Sequence, residues 1–168
     1  MISHSVQQLL ERGEQDPRLQ FIAFFLVSQI GEYMPNTLEL SPVMVILIEK
    51  CRSIKAIVKF GCYHCLGQLA VDMSPRFQEV YGDMVIPALI VGIREPILRV
   101  NCHALQALCN FLAHSNQDVI THFVPPLMDA IHSQLSTPSA KLYKLLLVCL
   151  RTVASVDCAD KDHRQIWF

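Results

Sequence analysis

Apolar residues recur at intervals of three and four along nearly the whole chain, as in Val58, Cys62, Cys65, Leu66 and Leu69, and again in Val100, Ala104, Leu105, Leu108 and Leu112. That period puts them on one stripe of an α-helix. Alternation of the strand type, closed by hairpin turns, is absent. Helix breakers divide the pattern at Asp16-Pro17, Pro35-Asn36, Ser53, Ser74-Pro75, Glu95-Pro96, Ser115-Asn116 and Ser136-Thr137-Pro138. The pattern predicts eight helices, near 2–12, 17–33, 40–51, 54–72, 76–93, 97–114, 117–134 and 138–156.

Two devices return along this series. The first is a small residue late in the second helix of each pair, at Ile30-Gly31-Glu32, Leu66-Gly67-Gln68, Leu108-Cys109-Asn110 and Val153-Ala154-Ser155, with spacings of 36, 42 and 45 residues. The second is a proline in the first helix of a pair, at Pro42, Pro87 and Pro125. A proline at the same point of successive helices is expected to kink each one alike. Small residues at 31, 67, 109 and 154 let neighbouring helices approach closely, while the flanking Ile, Leu and Val fill the grooves.

Repeats at such a period decide the architecture before any other motif. Each helix pair buries its apolar faces only against its neighbours, so the expectation is an all-α solenoid of about four antiparallel pairs near 2–33, 40–72, 76–114 and 117–156. These form one array over 1–156. The segment 157–168 is polar until Ile166-Trp167-Phe168 and carries no sustained stripe, so it reads as a tail outside the array.

Composition sharpens this picture. Hydrophobic residues make up 52% and charged residues 17% of the 168, and the mean hydropathy is +0.33, which excludes a disordered chain and implies apolar surface that meets a neighbour. Fourteen Lys and Arg against fifteen Asp and Glu leave a net charge of -1. No basic run could neutralise a row of phosphates, so direct nucleic-acid binding is not expected. The first residues do not read as a signal peptide, and the most apolar windows, 21–30 and 43–48, are too short to span a bilayer. Seven cysteines, an odd number lying mostly within apolar helical stripes, fit buried thiols in a reducing compartment better than a disulfide framework.

At this point the sequence resembles HEAT repeats, whose second helix commonly opens with an apolar residue beside a basic one. Val58-Lys59 and Arg99-Val100 occupy that place, each Val nine residues before its small-residue site. The run from Leu66 to Gln78 (LGQLAVDMSPRFQ), Val85-Ile86-Pro87-Ala88-Leu89 and Ala107-Leu108-Cys109-Asn110-Phe111 are similar to the importin-beta superfamily, karyopherin beta 3 type. The resemblance covers residues 17 to 156 in order and corresponds to a central stretch of a longer protein.

That resemblance implies a nuclear transport receptor of cytoplasm and nucleus, which binds protein cargo carrying an extended basic signal on its inner face and releases it when Ran–GTP binds. It implies no cofactor. The family's inner surface runs along the second helices, where acidic and amide side chains near the helix ends receive cargo lysines. The matching positions are Glu32, Asp72 and Asn110. Carboxylate and amide oxygens one repeat apart accept charge-assisted bonds from ammonium groups. His114 stands where an acid is expected, and the family's Ran-binding repeats lie largely elsewhere, so whether this segment meets Ran stays open.

Other chemistry is thin. Cys62-Tyr63-His64-Cys65 offers two thiols at i and i+3 with an imidazole between, enough to seed a zinc or thiol site only if further ligands arrive. Both thiols fall on the apolar stripe, and no second CxxC follows. The histidines lack HExxH spacing, and no GxSxG elbow or glycine-rich phosphate loop occurs. The sequence therefore reads as a binding scaffold and not an enzyme. A HEAT scaffold of another kind, such as a phosphatase regulatory or assembly subunit, is the alternative. Lys59, Arg94 and Arg99 are expected to pair with acids of a neighbouring repeat, and Phe21, Phe24 and Phe25 to form core or the seam to a preceding repeat.

Overall fold

The computed structural model describes residues 6, 8–10, 12–34, 40–135 and 140–157, and among these there are helices and no strands. Residues 6, 8–10 and 12 are helical, with Val6 and Leu10 buried. Eight helices follow: α1 (Pro17–Ile30), α2 (Ser41–Lys50), α3 (Ala56–Asp72), α4 (Arg76–Ile93), α5 (Leu98–Ala113), the short α6 (Gln117–Thr121), α7 (Val124–Leu135) and α8 (Ala140–Asp157). A 3-10 turn, Gly31–Tyr33, extends α1. The segments 35–39, 136–139 and 158–168, with the breakers at Pro35-Asn36 and Ser136-Thr137-Pro138 and nearly all of the expected tail, lie outside the described residues.

Local chemistry explains where helices start and stop. Asp16 accepts from the backbone N–H of Arg18 at 3.0 Å and Pro17 takes the first helical position, so α1 begins with a satisfied donor and a residue that needs none. The apolar stripe expected over 117–134 breaks in two after Thr121. Pro125 accounts for the break, because its ring would clash with the carbonyl four residues earlier, that of Thr121, in a continuous helix.

The prolines do not act alike. Only Pro87 lies inside a helix, whereas Pro42 stands in the first turn of α2, and Pro125 and Pro126 in the first turn of α7. A first-turn proline lacks a donor that the helix would leave unpaired anyway, so it starts a helix instead of kinking it. The expectation of a shared kink is corrected on this point.

α1, α3, α5 and α8 pack side by side as one layer, and α2, α4 and α7 form a second layer behind them. A core cluster runs through both from Val6 to Val153, with Phe24, Tyr63, Phe77, Phe111, Leu66 and Leu105 among its largest fully buried members. This is the two-layer helical solenoid that the periodicity predicts.

Close approach in the second-helix layer depends on small residues. A methyl on Gly67 would stand 3.0 Å from the Cα and 3.2 Å from the Cβ of Ala107, so α3 and α5 touch backbone to backbone. A methyl on Gly31 would stand 3.2 Å from Leu69 Cδ2 and 3.1 Å from Asp72 Oδ2. At the third seam Cys109 meets Cys149 of α8, with the sulfur atoms 3.2 Å apart. Ala154, expected to complete this series, is exposed, and Cys149 takes the inward place one and a half turns earlier.

The corners are stitched by polar groups that no periodicity reveals. Buried Gln78 donates to the carbonyl of Ala70 at 2.6 Å, buried Asn101 to that of Ile93 at 2.6 Å, and Tyr143 to that of Leu135 at 3.4 Å. Each donor sits near the start of a helix and serves a carbonyl at the end of the preceding one, eight residues back. The last carbonyls of a helix lack partners within it, so these bonds fix the corners, the first two where water is excluded and the third at the surface. Asn101 also donates to Gln134 at 3.0 Å, which joins α5 to α7.

Ion pairs add links between repeats. Lys59 of α3 pairs with Glu95 of the α4–α5 corner at 2.5 Å, with side chains only 15% and 14% exposed. Arg94 pairs with Asp129 on the open surface. Arg99 departs from expectation: its guanidinium lies 4.5 Å over the ring of Phe60.

Candidate functional site

The second-helix layer presents one continuous face. On α3, Phe60, His64, Gln68 and Asp72 follow at intervals of four, all partly exposed, which places them on a single stripe. On α5 the corresponding stripe is Arg99, His103, Gln106 and Asn110. On α1 it is Phe21 and Phe25, with Glu32 exposed in the 3-10 turn beyond.

The half of this face nearest the helix starts is aromatic. Phe21 stacks on Phe60 with centroids 5.5 Å apart, Phe25 stacks on His64 at 5.4 Å, and His103 meets Phe60 edge-on at 4.3 Å. Of the three neighbouring phenylalanines in α1 only Phe24 is core, and the other two pack forward onto α3 instead of toward an earlier repeat. Burial pushes the His64 imidazole below its ordinary pKa of 6.5. His103 is lowered by burial first, then by His64 and Arg99. Both rings are therefore neutral near pH 7, which suits packing against phenyl rings.

The half nearest the helix ends is polar. Both oxygens of Asp72 accept from Gln68 Nε2, at 2.9 and 3.0 Å. Gln106 Nε2 donates to Asn110 Oδ1 at 2.9 Å, the same arrangement one repeat on. Asn110 in turn donates through Nδ2 to the carbonyl of Gly67 at 3.0 Å. That bond fixes which way the amide points: its NH2 is turned to α3, and its carbonyl oxygen, which accepts from Gln106, is held on the other side. Asp72 is the last residue of α3, where the unpaired carbonyls already carry partial negative charge. A cation is favoured there by both.

Of the three residues expected from sequence, Asp72 and Asn110 each lie against the small residue of the helix before, Gly31 and Gly67, although in the repeat register Asn110 answers to Gln68 and His114 to Asp72. Glu32 directly follows Gly31, which abuts Asp72. Gln68, Gln106, Phe60, His64, His103 and Arg99 complete the face and were not assigned to it by sequence. The interval of four along α3 was the available signal, hidden because half of the stripe is aromatic and reads as core.

Cys62 and Cys65 lie in the core, where burial raises both thiols, each with a further push from Cys51. His64 lies in the aromatic row. This separates the three groups that a metal would need together, and among the described residues no cluster of three or more His, Cys, Asp or Glu converges. An open cleft of about 410 Å³ is lined by charges of both signs, Glu14, Glu49, Lys50, Arg52 and Lys55. No helix of the described residues is long and apolar enough to cross a membrane.

No protein-family model matches the chain. Importin subunit beta-3 of Saccharomyces cerevisiae is 30% identical over 160 residues, which cover 94% of this chain and 14% of that protein. The chain thus spans about one seventh of that relative's length. Crystal structures of Kap121p bound to RanGTP and of the karyopherin Kap121p bound to the SUMO protease Ulp1p are similar over 92% of this chain and 15% of theirs, each 25% identical, with TM-scores of 0.85 and 0.83.

Proposed function

We propose, on the premise that the chain belongs to the importin-beta superfamily of HEAT-repeat proteins, that its second-helix face receives an extended, lysine-bearing segment of a protein cargo. The observation that carries the reading is the pair Gln68–Asp72 and Gln106–Asn110. Each of two adjacent helices carries a Gln that donates to an acceptor oxygen four residues on, and Glu32 lies exposed beside Gly31, which abuts Asp72. An extended peptide crossing α1, α3 and α5 would meet one such group per helix and find its main chain over the aromatic half. Each wet contact is worth only about 0.2–1 kcal/mol, so affinity comes from several together.

On this reading residues 1–156 act as one array within a longer transport receptor that moves between cytoplasm and nucleus. Binding is non-covalent and needs no cofactor, and the chain is a scaffold and not an enzyme. The similar karyopherin has been crystallised with RanGTP, which supports cargo release by Ran–GTP in the whole receptor.

The test is titration of the chain with an extended lysine-rich peptide at two salt concentrations, alongside a Glu32→Gln, Asp72→Asn variant. These substitutions remove charge and leave the Asn110–Gly67 bond intact. Binding that weakens with salt and falls by up to about fivefold per lost carboxylate supports the reading. Equal binding by parent and variant overturns it.

A further inference from the structure

Cys109 and Cys149 meet across the seam between α5 and α8 with their sulfur atoms 3.2 Å apart, and both sit in helices that the core holds on either side. A second thiol contact joins Cys62 of α3 to Cys51 at the end of α2, but both of those residues lie deep in the core, 0% and 2% exposed. Cys149 is wholly buried, while Cys109 is 7% exposed and adjoins Asn110 on the polar half of the face. Of the two, Cys109 is the residue with any exposure, and Cys149 lies behind it.

We propose that Cys109 and Cys149 form an oxidation site, in which a hydroperoxide converts the two thiols into a disulfide that ties α5 to α8. In the first step the Cys109 sulfur attacks the peroxide: an S–O bond forms, the O–O bond breaks, and one water (or alcohol) leaves, giving a sulfenic acid. In the second, the Cys149 sulfur attacks that of Cys109: the S–S bond forms, the S–O bond breaks, and the Cys149 proton departs with the second water. Two thiols are oxidised by two electrons in all, and the peroxide is reduced by two.

Geometry supports the order of events. A disulfide needs sulfur atoms about 2.05 Å apart, so the seam must close by only about 1 Å. The hydrogen bond from Cys149 also holds the Cys109 thiol below its usual range, while burial raises those of Cys62 and Cys65. The thiolate is the nucleophile, which singles out Cys109 as the sulfur that reacts first. Once formed, the bond would fix the angle between two successive second helices beside the polar half of the face.

The experiment is treatment of the folded chain with equimolar hydrogen peroxide, alkylation of the remaining thiols, and mass mapping of the peptides. The expected result is loss of two of the seven thiols, recovery of a peptide linked through Cys109 and Cys149, and full reversal by dithiothreitol. In Cys149→Ser the first step has no resolving thiol, so dimedone should label Cys109 and no link should form. A linkage through any other cysteine in the parent, or oxidation confined to Cys51, Cys62, Cys65 or Cys102, overturns the proposal.

Discussion

Asn110 donates through Nδ2 to the carbonyl of Gly67, 3.0 Å away on the preceding second helix, and a methyl group on Gly67 would stand 3.0 Å from the backbone of Ala107. The same short stretch thus carries both a backbone-to-backbone approach of α3 and α5 and the bond that orients the proposed acceptor. Function and packing are coupled here, and the first prediction separates them.

Gly67→Ala is expected to destabilise the chain. A helix-interior alanine contributes about 1 kcal/mol over glycine by propensity, but overpacking against backbone, which cannot move aside like a side-chain tip, costs about 1–3 kcal/mol. The clash should win, lowering the midpoint of thermal unfolding by several degrees. Gly82→Ala is the comparison, since its methyl would meet side chains and no backbone, Val119 Cγ1 at 2.9 Å and Phe111 Cζ at 3.7 Å, and should be the milder change.

Asn101→Ala removes a buried donor that serves both the carbonyl of Ile93 and the side chain of Gln134. The expected loss is about 1–3 kcal/mol, because acceptors are left unpaired away from water. Urea unfolding of parent and variant measures it. A shift in midpoint at constant slope is the expected form.

Removing Glu95 should cost more than removing Asp129. Lys59 and Glu95 are both largely buried, so Glu95→Ala leaves an ammonium without its partner in a poorly hydrated place, at about 1–3 kcal/mol. Asp129→Ala breaks an exposed pair with Arg94, worth about 0–1 kcal/mol. Chemical denaturation of both variants checks the order.

Stability should fall as the pH is lowered through the histidine range. The folded-state pKa values of His64 and His103 lie below the ordinary 6.5, so the unfolded chain takes up protons first. Stability is therefore present in full above about pH 6.5 and is lost as the pH drops through and below that value. Thermal unfolding between about pH 7.5 and 5.5 reads this, and His64→Phe, which keeps a ring against Phe25, should flatten the profile.

The architecture was legible because burial on one stripe leaves a period that survives in sequence, and because Gly31, Gly67 and Cys109 mark where helices touch. What escaped has particular causes. Proline reads the same in a first turn as in a helix interior, so Pro42 and Pro125 were indistinguishable from Pro87 until the helix starts were placed. Gln78 and Asn101 are polar residues wholly inside, and only the corner carbonyls they serve explain them. His64 reads in sequence only as a ligand candidate and Phe60 draws no reading, because a face that is aromatic in one half and polar in the other has no single pattern. Asp72 and Asn110 came from resemblance, and their partners Gln68 and Gln106 came only from coordinates.

The most direct measurement of the central claim is zero-length carbodiimide cross-linking of the chain to an extended lysine-rich peptide, followed by mass mapping of the joined carboxylates. An amide forms only where a peptide ammonium rests against a carboxylate. The account predicts links at Glu32 and Asp72, on the second-helix face, that disappear as salt is raised. Links concentrated instead at Glu79, Asp83 or Asp118, on α4 and α6, would contradict it.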